Sequence, residues 1–327
     1  MTSPLYSLSI SARLTLDLHS LNNEGGEGNQ IQTRMVNIID QRGELHNVNA
    51  ISGDMFKHIQ AEHLFRLAKG SNPLPLCAGC QTFNANRINA DADFIARTKA
   101  MTDSETINEM LRTCAIDDIE GILITEGNRS VPRKSVIEFG WVVGVPGSVE
   151  TDSYFHVKYV NERGSSKRSE DREGQTGGAN LGQAIFHRPA SSGIYASICH
   201  LEMARIGFND IQQTYAIDDA QRAQRARALL ESVLYTFMQP NGAMRSAQAP
   251  HIVDFSGVVS TSSAPVPAPT ISPLKDGYDQ QIKDVARTLN TLTPDTLQVH
   301  SFGQMSEFAE IITDLIHTTT PYALQYA

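Results

Sequence analysis

The sequence predicts an α+β fold, and three stretches carry the prediction. Residues 7–18 alternate Leu8, Ile10, Ala12, Leu14, Leu16 and Leu18 with Ser7, Ser9, Ser11, Arg13, Thr15 and Asp17. That period of two marks a long strand with one buried and one polar face. From Ile51 to Leu67 the pattern turns helical (Met55, Phe56, Ile59, His63, Leu67) directly after Ser52-Gly53. This reads as strand, tight turn and helix, with Ser52 capping the first turn. Asp218 to Met238 places Leu229, Leu230, Val233, Leu234 and Phe237 on one helical face, with Arg222, Arg225 and Arg227 near its start.

The remaining elements follow in order. His19 to Gln30 is a loop rich in Gly, Asn and Glu, followed by a second strand from Ile31 to Ile39 with Arg34 within it. A Gln41-Arg42-Gly43 turn leads into a third strand, Glu44 to Ile51, and the helix after it ends near Lys69-Gly70. Residues 71–128 read as a helical insertion, with breaks at Pro73 and Pro75 and short helices near 90–101 and 104–112. The apolar, β-branched run 136–145 predicts a buried central strand. Phe155 to Val160 alternates as a half-exposed strand. Residues 161–183 hold one large apolar side chain, Leu181, and predict a projecting hairpin or loop. Its charges balance: Arg163, Lys167, Arg168 and Arg172 against Glu162, Glu170, Asp171 and Glu173. Strands are predicted at 194–199 and 251–259, and the Ser/Pro/Ala stretch 260–273 reads as a flexible linker. Helices near 278–292 and 304–317 close the chain. A sheet-based body is thus assembled from residues 1–70, 129–160 and 184–259, with terminal helices over 274–327.

Composition narrows the function. A chain of 327 residues with 40% hydrophobic and 19% charged content has an ordinary globular make-up. No apolar run approaches the roughly 20 residues that cross a bilayer. The opening MTSPLYSLSI lacks the basic-then-apolar layout of a signal peptide, which points to a cytoplasmic protein. The net charge of −9 repels phosphate on average, so a nucleic-acid site must be a local basic groove on an acidic body.

The chemistry-bearing residues are few. No GxSxG elbow, HExxH pair, Walker loop or Rossmann fingerprint is present. The helix start after Ser52-Gly53 offers free amides and a positive dipole end to an anion, and Lys57 and His58 add a charge and a donor. Asp54 competes for the same amides, and most such junctions bind nothing. Asp54, His58, Glu62 and His63 can share a helix face, but two histidines five apart align poorly on one metal. Cys77 and Cys80 have the spacing of half a zinc site, Cys114 is a third candidate ligand, and His58, His63 or Asp117 a fourth. The plainer reading is two loop cysteines beside a proline turn, with Cys114 in the core. These three and Cys199 read as thiols or ligands rather than disulfides. Arg34, Lys57, Arg129, Arg133, Lys134 and Arg245 sit near element ends, each an ordinary solvated charge unless the fold gathers them.

Three runs, LDLHSLNNEGGEGN, NVNAISGDMFKHIQAEHL and RSVPRKSVIEFGW, resemble the DevR-type CRISPR-associated family, the repeating backbone (Cas-seven class) subunits of type I Cascade surveillance complexes. The likeness spans most of residues 5–256, with SGDMFKH its most specific part. It implies a modified RRM-like (ferredoxin-like) palm with a helical insertion, a β-hairpin thumb at 161–183 and C-terminal helices. It further implies a non-enzymatic protein that polymerises along a guide RNA (crRNA), grips its backbone and presents it for pairing with target DNA. Partners would be the guide, target DNA through the guide, further copies of the chain and other Cascade subunits, with no membrane. Carried over residue by residue, Ser52, Gly53, Asp54, Lys57 and His58 would contact phosphates, and His19, Ser20, Asn22 and Asn23 would line the same groove. Arg34, Arg133 and Lys134, the thumb residues Arg163, Lys167 and Arg168, and Met244, Arg245 and Ser246 complete the expected RNA surface. An RNP1-like aromatic pattern is absent, which suits backbone binding without base readout. Two alternatives follow from relatives. One is metal-dependent target-RNA cleavage at Asp54 or Asp40, neither of which sits in an obvious acidic cluster. The other is a DNA-binding transcriptional autoregulator, for which no helix-turn-helix pattern is evident. No cofactor is required, and a structural zinc is the one candidate.

Overall fold

The alternating residues of the first stretch form a strand from Ser7 to His19 at the heart of an antiparallel sheet. The structure, a computed structural model, describes residues 2–27, 30–126, 129–159, 183–243 and 249–325. Across the sheet the order is Leu297–Phe302, His251–Ser262, Ser7–His19, Gln183–Leu201, Val142–Tyr159, Leu45–Ile51 and Met35–Ile39. Each neighbouring pair is antiparallel.

One face of this sheet is apolar and covered by helices. Leu8, Ile10, Ala12, Leu14 and Leu16 are fully buried there. Each large side chain so buried contributes about 1.5–3 kcal/mol. The covering helices are Gly53–Ala68, Asp219–Met238 and Met305–Thr318. Phe237 of the second helix stacks on Phe255 of the sheet at 4.7 Å, and Phe56 of the first lies 5.9 Å from Phe237. Gln60 Nε2 donates to Ser232 Oγ across the two helices at 2.8 Å.

The serine-bearing part of the first strand's polar face, Ser7, Ser9 and Ser11, is buried as well, by the chain itself. Ser9 Oγ donates to the Ala268 carbonyl at 3.1 Å, the Ala268 amide donates to Ser7 Oγ, and Ser11 Oγ meets Thr270 Oγ1 at 2.9 Å. Arg13 donates to the Pro273 carbonyl and pairs with Asp276 at 3.0 Å. The 260–273 stretch is therefore no flexible linker. Its prolines hold it extended and leave carbonyls without competing amides, so it lies along the serines as a strap. The strand before it runs on to Ser262.

Other expectations shift in detail. The 31–39 strand breaks at Arg34, because Gln30–Thr33 pairs with Asn23–Glu27 whereas Met35–Ile39 pairs with Leu45–Ile51. The 136–145 run is two strands, Ile137–Phe139 and Val142 onward, joined through the exposed Trp141. Five residues from Phe139 to Val143 oppose four from Cys199 to Ala196, a bulge that leaves Gly140 beneath Ile198. The insertion contains the short helices Ala92–Thr98, Asp103–Thr113 and Ala115–Glu120, but also a strand, Ile122–Glu126, paired with Arg129–Arg133. The strand Leu297–Phe302 between the last two helices also escaped the sequence reading. Val142–Tyr159 and Gln183–Leu201 remain paired as far as Tyr159 and Gln183, and exposed Tyr154 and Phe155 lie on this extension. Among the described residues, no helix is long and apolar enough to cross a membrane.

Candidate functional site

The helix start at Ser52 gathers several separated stretches. Ser52 caps it, accepting from the Met55 amide at 3.2 Å. Asn22 Oδ1 accepts from both the Ser52 amide and its hydroxyl. The Ala243 amide donates to the Leu21 carbonyl at 3.1 Å, which brings the turn after the Asp219–Met238 helix to the same place. Gly53 is required by packing: a Cβ there would lie 2.3 Å from the Phe139 carbonyl oxygen. Arg34 lies over the ring of Trp141, 5.4 Å from its centroid, and Trp141 is 44% exposed. Trp141 is the chain's single tryptophan, and it stands next to the bulge at Gly140, a placement beside Arg34 that sequence reasoning missed.

A cleft of about 400 Å³ opens along the first turns of this helix, lined by Asp54, Lys57, His58, Phe83, Arg87 and Glu120 among others. Lys57 Nζ donates to the Glu120 carbonyl at 2.9 Å, and Arg87 Nη1 to the Gly121 carbonyl at 2.6 Å. Burial holds the Lys57 ammonium below its ordinary range, opposed by Glu120. Burial likewise raises the Glu120 carboxyl to about 7, opposed by Lys57 and Arg87. Two oriented cations thus face a cleft whose carboxylates are Asp54 and Glu120, the latter weakened by burial, an arrangement that can still seat a phosphate-sized anion. Arg87 reaches it from the insertion and carried no local sequence signal.

Other anticipated contacts lie elsewhere. His19, Ser20 and Asn22 are buried rather than lining an open groove. His19 packs edge-on against Tyr195 at 4.9 Å, and desolvation lowers its pKa to about 4, so it is neutral at pH 7. Asn23 lies in the Asn23–Glu27 strand. Arg133 is a correction: its side chain is wholly buried, bonded to Asp118 at 2.7 Å, to Asp210 at 3.0 Å and to the carbonyls of Phe208 and Arg205. Its donors are spent on the core, because a buried guanidinium needs acceptors around it. Arg129 is likewise bound to Asp103 and to the Thr98 and Thr102 carbonyls. Lys134 stays exposed beside Glu138 and Glu202, at 3.4 and 3.8 Å. Arg163, Lys167 and Arg168, and Met244, Arg245 and Ser246, lie outside the described residues.

Asp40 has closer company than its sequence context suggests: ligand atoms of Asp40, Glu44 and His46 lie within 4.8 Å of one another. Asp40 nevertheless serves the turn. Its Oδ1 accepts from the Arg42 and Glu44 amides at 2.8 and 2.9 Å, and its Oδ2 contacts His46 at 3.1 Å. These bonds, that from the Glu44 amide first, hold the carboxyl below its ordinary value. Cys77, Cys80 and Cys114 do converge, and Asp117 joins them, with all four buried. His58 instead packs on Phe83, and His63 contacts the Gln239 carbonyl at 3.0 Å.

Several known proteins are similar to this chain. A curated relative from Methanocaldococcus jannaschii, CRISPR-associated protein Cas7/Cst2/DevR, is 25% identical over 94% of this chain and 96% of its own length. A chain of a solved CRISPR RNA-guided surveillance complex, pre-nicking, aligns over 98% of this chain and 96% of that one, at 16% identity and a TM-score of 0.45. Csc2 of Thermofilum pendens aligns over 97% and 87%, at 10% identity and a TM-score of 0.40. The model of a family described as CRISPR-associated negative auto-regulator DevR/Csa2 matches residues 10–283, and the chain belongs to that family.

Proposed function

We propose that this protein is a guide-RNA-binding backbone subunit of a type I CRISPR surveillance complex, without catalysis of its own. Several copies would follow one crRNA, each gripping phosphates and leaving bases free to pair with target DNA. Membership of the DevR/Csa2 family supports the setting. The observation that carries the site is the pair Lys57 and Arg87. Both enter one cleft beside a helix start and donate to main-chain carbonyls, so their charge is aimed without being bonded to a carboxylate. Such a site reads phosphate and not base, as a subunit accepting any spacer must.

The palm reading draws on strand order. The strands at 251–262, 7–19, 183–201 and 142–159 lie side by side in that order, with helices 53–68 and 219–238 on one face, in keeping with a ferredoxin-like arrangement. The proline strap covers the serine-bearing part of the opposite face, where a standard RRM stacks bases. We therefore assign RNA contact to the helix start and its cleft, with the paired arms ending at Tyr159 and Gln183 as the base of the thumb.

The test is to purify the protein from cells that transcribe a CRISPR array and to sequence the RNA it retains. Phosphate gripping predicts guide-sized RNA of any spacer sequence, reduced several-fold by Lys57→Ala with Arg87→Ala in a protein of unchanged thermal stability. Undiminished RNA in that double variant, or strong base preference, overturns the assignment. Periodic cutting of labelled target RNA by the assembled complex with magnesium would instead establish the cleaving alternative.

A further inference from the structure

The insertion contains a second chemistry that guide binding does not use. Cys77-Ala78-Gly79-Cys80 and Cys114-Ala115-Ile116-Asp117 are two ligand pairs of identical spacing, C-x-x-C and C-x-x-D. They come from separate parts of the insertion and meet in its core, with all four ligand atoms within 4.8 Å of one another. Each pair opens a short helix. Cys77 caps Ala78–Gln81 and accepts from the Cys80 amide at 3.3 Å, and Cys114 stands at the start of Ala115–Glu120. The Ala115 amide donates to the Pro75 carbonyl at 2.9 Å, which ties the pairs together.

Asp117 is the residue that asks for a cation. It is wholly buried, its Oδ2 is approached by the Cys77 and Cys80 thiols at 3.4 and 3.7 Å, and its Oδ1 has no hydrogen-bond partner among the described residues. A buried carboxylate oxygen without a donor is costly, and an apolar core would serve better unless the site holds something. All four cysteines are free thiols.

We infer that Cys77, Cys80, Cys114 and Asp117 form a closed, four-coordinate structural zinc site. Three sulfurs and one oxygen suit zinc more than calcium, magnesium or manganese, and four protein ligands leave no open position for catalysis. A tetrahedral zinc with bonds of about 2.3 Å places its sulfurs roughly 3.8 Å apart, so the cluster need contract by at most about 1 Å. Binding would displace the thiol protons and give Asp117 its counter-charge. The site also bears on the cleft. A Cβ on Gly79 would lie 1.9 Å from the Arg87 carbonyl oxygen, so the Cys77–Cys80 turn packs directly on the backbone that carries Arg87. Zinc would thereby brace one of the two proposed anion-binding cations.

The test is elemental analysis of the full-length protein purified under reducing conditions from zinc-containing medium. One zinc per chain is expected, lost in Cys80→Ser and in Asp117→Asn and kept in Cys199→Ala, whose thiol lies outside the cluster. Should the first two variants fail to fold, cobalt loading of the wild-type chain decides. Thiolate-to-cobalt charge transfer with tetrahedral d–d bands supports the site. A folded, reduced wild-type chain that holds neither zinc nor tetrahedral cobalt overturns it, as does stoichiometric zinc retained by Cys80→Ser. Neither readout uses RNA, so the metal site and the guide-binding assignment can fail separately.

Discussion

Asn22 Oδ1 accepts two hydrogen bonds from Ser52, one from the amide at 3.1 Å and one from the hydroxyl at 2.9 Å. The hydroxyl in turn accepts from the Met55 amide, so the loop after the first strand orients the cap of the helix at the proposed phosphate site. Asn22→Ala leaves those donors without their acceptor and should cost about 1–3 kcal/mol in urea unfolding. Asn22→Asp keeps the oxygen but adds a negative charge. It should fold at least as well as Asn22→Ala yet retain less RNA than wild type. Equal RNA retention by wild type and Asn22→Asp would separate this cap from the binding site.

Arg133 and its sequence neighbour Lys134 should behave oppositely to their equal charge. Arg133→Ala removes one of the two buried guanidinium partners of Asp118, leaving Arg225 at 2.7 Å, and should destabilise by about 1.5–3 kcal/mol. Lys134→Ala removes only exposed pairs and should stay within about 0.5 kcal/mol of wild type. Chemical denaturation of the two variants checks this directly.

Glu120 predicts a pH dependence. Its folded value of about 7 exceeds the ordinary 4.5, so the native state holds this proton more tightly than the unfolded chain. The stabilisation is fully present below about pH 4.5 and is lost as pH rises through 7. The gap corresponds to ~3 kcal/mol at most. Glu120→Gln should therefore raise stability at pH 8 relative to wild type and change it little at pH 4. Melting curves at the two pH values give the comparison, and an equal shift at both would contradict it.

The strap over the serines should resist exchange. Ala268 donates its amide to Ser7 Oγ in a buried setting, so its hydrogen exchange should be slow, and Ser7→Ala should accelerate it. Fast exchange along 264–273 in the wild type would restore the flexible-linker reading.

The proposed RNA surface is also an electrostatic one. Removing Lys57 should lower the salt slope of RNA binding, a plot of log affinity against log salt, by about 0.7, the value for one single-strand phosphate contact. An unchanged slope would place Lys57 outside the phosphate contacts.

What the sequence determined was local. The alternation of Leu8 to Leu16 set a strand, Ser52 set a cap and helix start, and Asp218 did the same for the later helix, because periodicity and capping act over a few residues. The C-x-x-C spacing of Cys77 and Cys80 was legible for the same reason. Tertiary structure decided which of these groups are spent and which are offered. Ser9 meets Ala268 across 259 positions and Arg133 meets Asp210 across 77, and in each case a group that looked available is consumed. Arg87, unremarked in its own stretch, is carried into the cleft beside Lys57 by the insertion. Asp117 was one of three candidate fourth ligands in the sequence, and the fold is what places its carboxylate among the thiols of the proposed site. Burial must match each donor with an acceptor, and which acceptors lie within reach depends on contacts between distant parts of the chain.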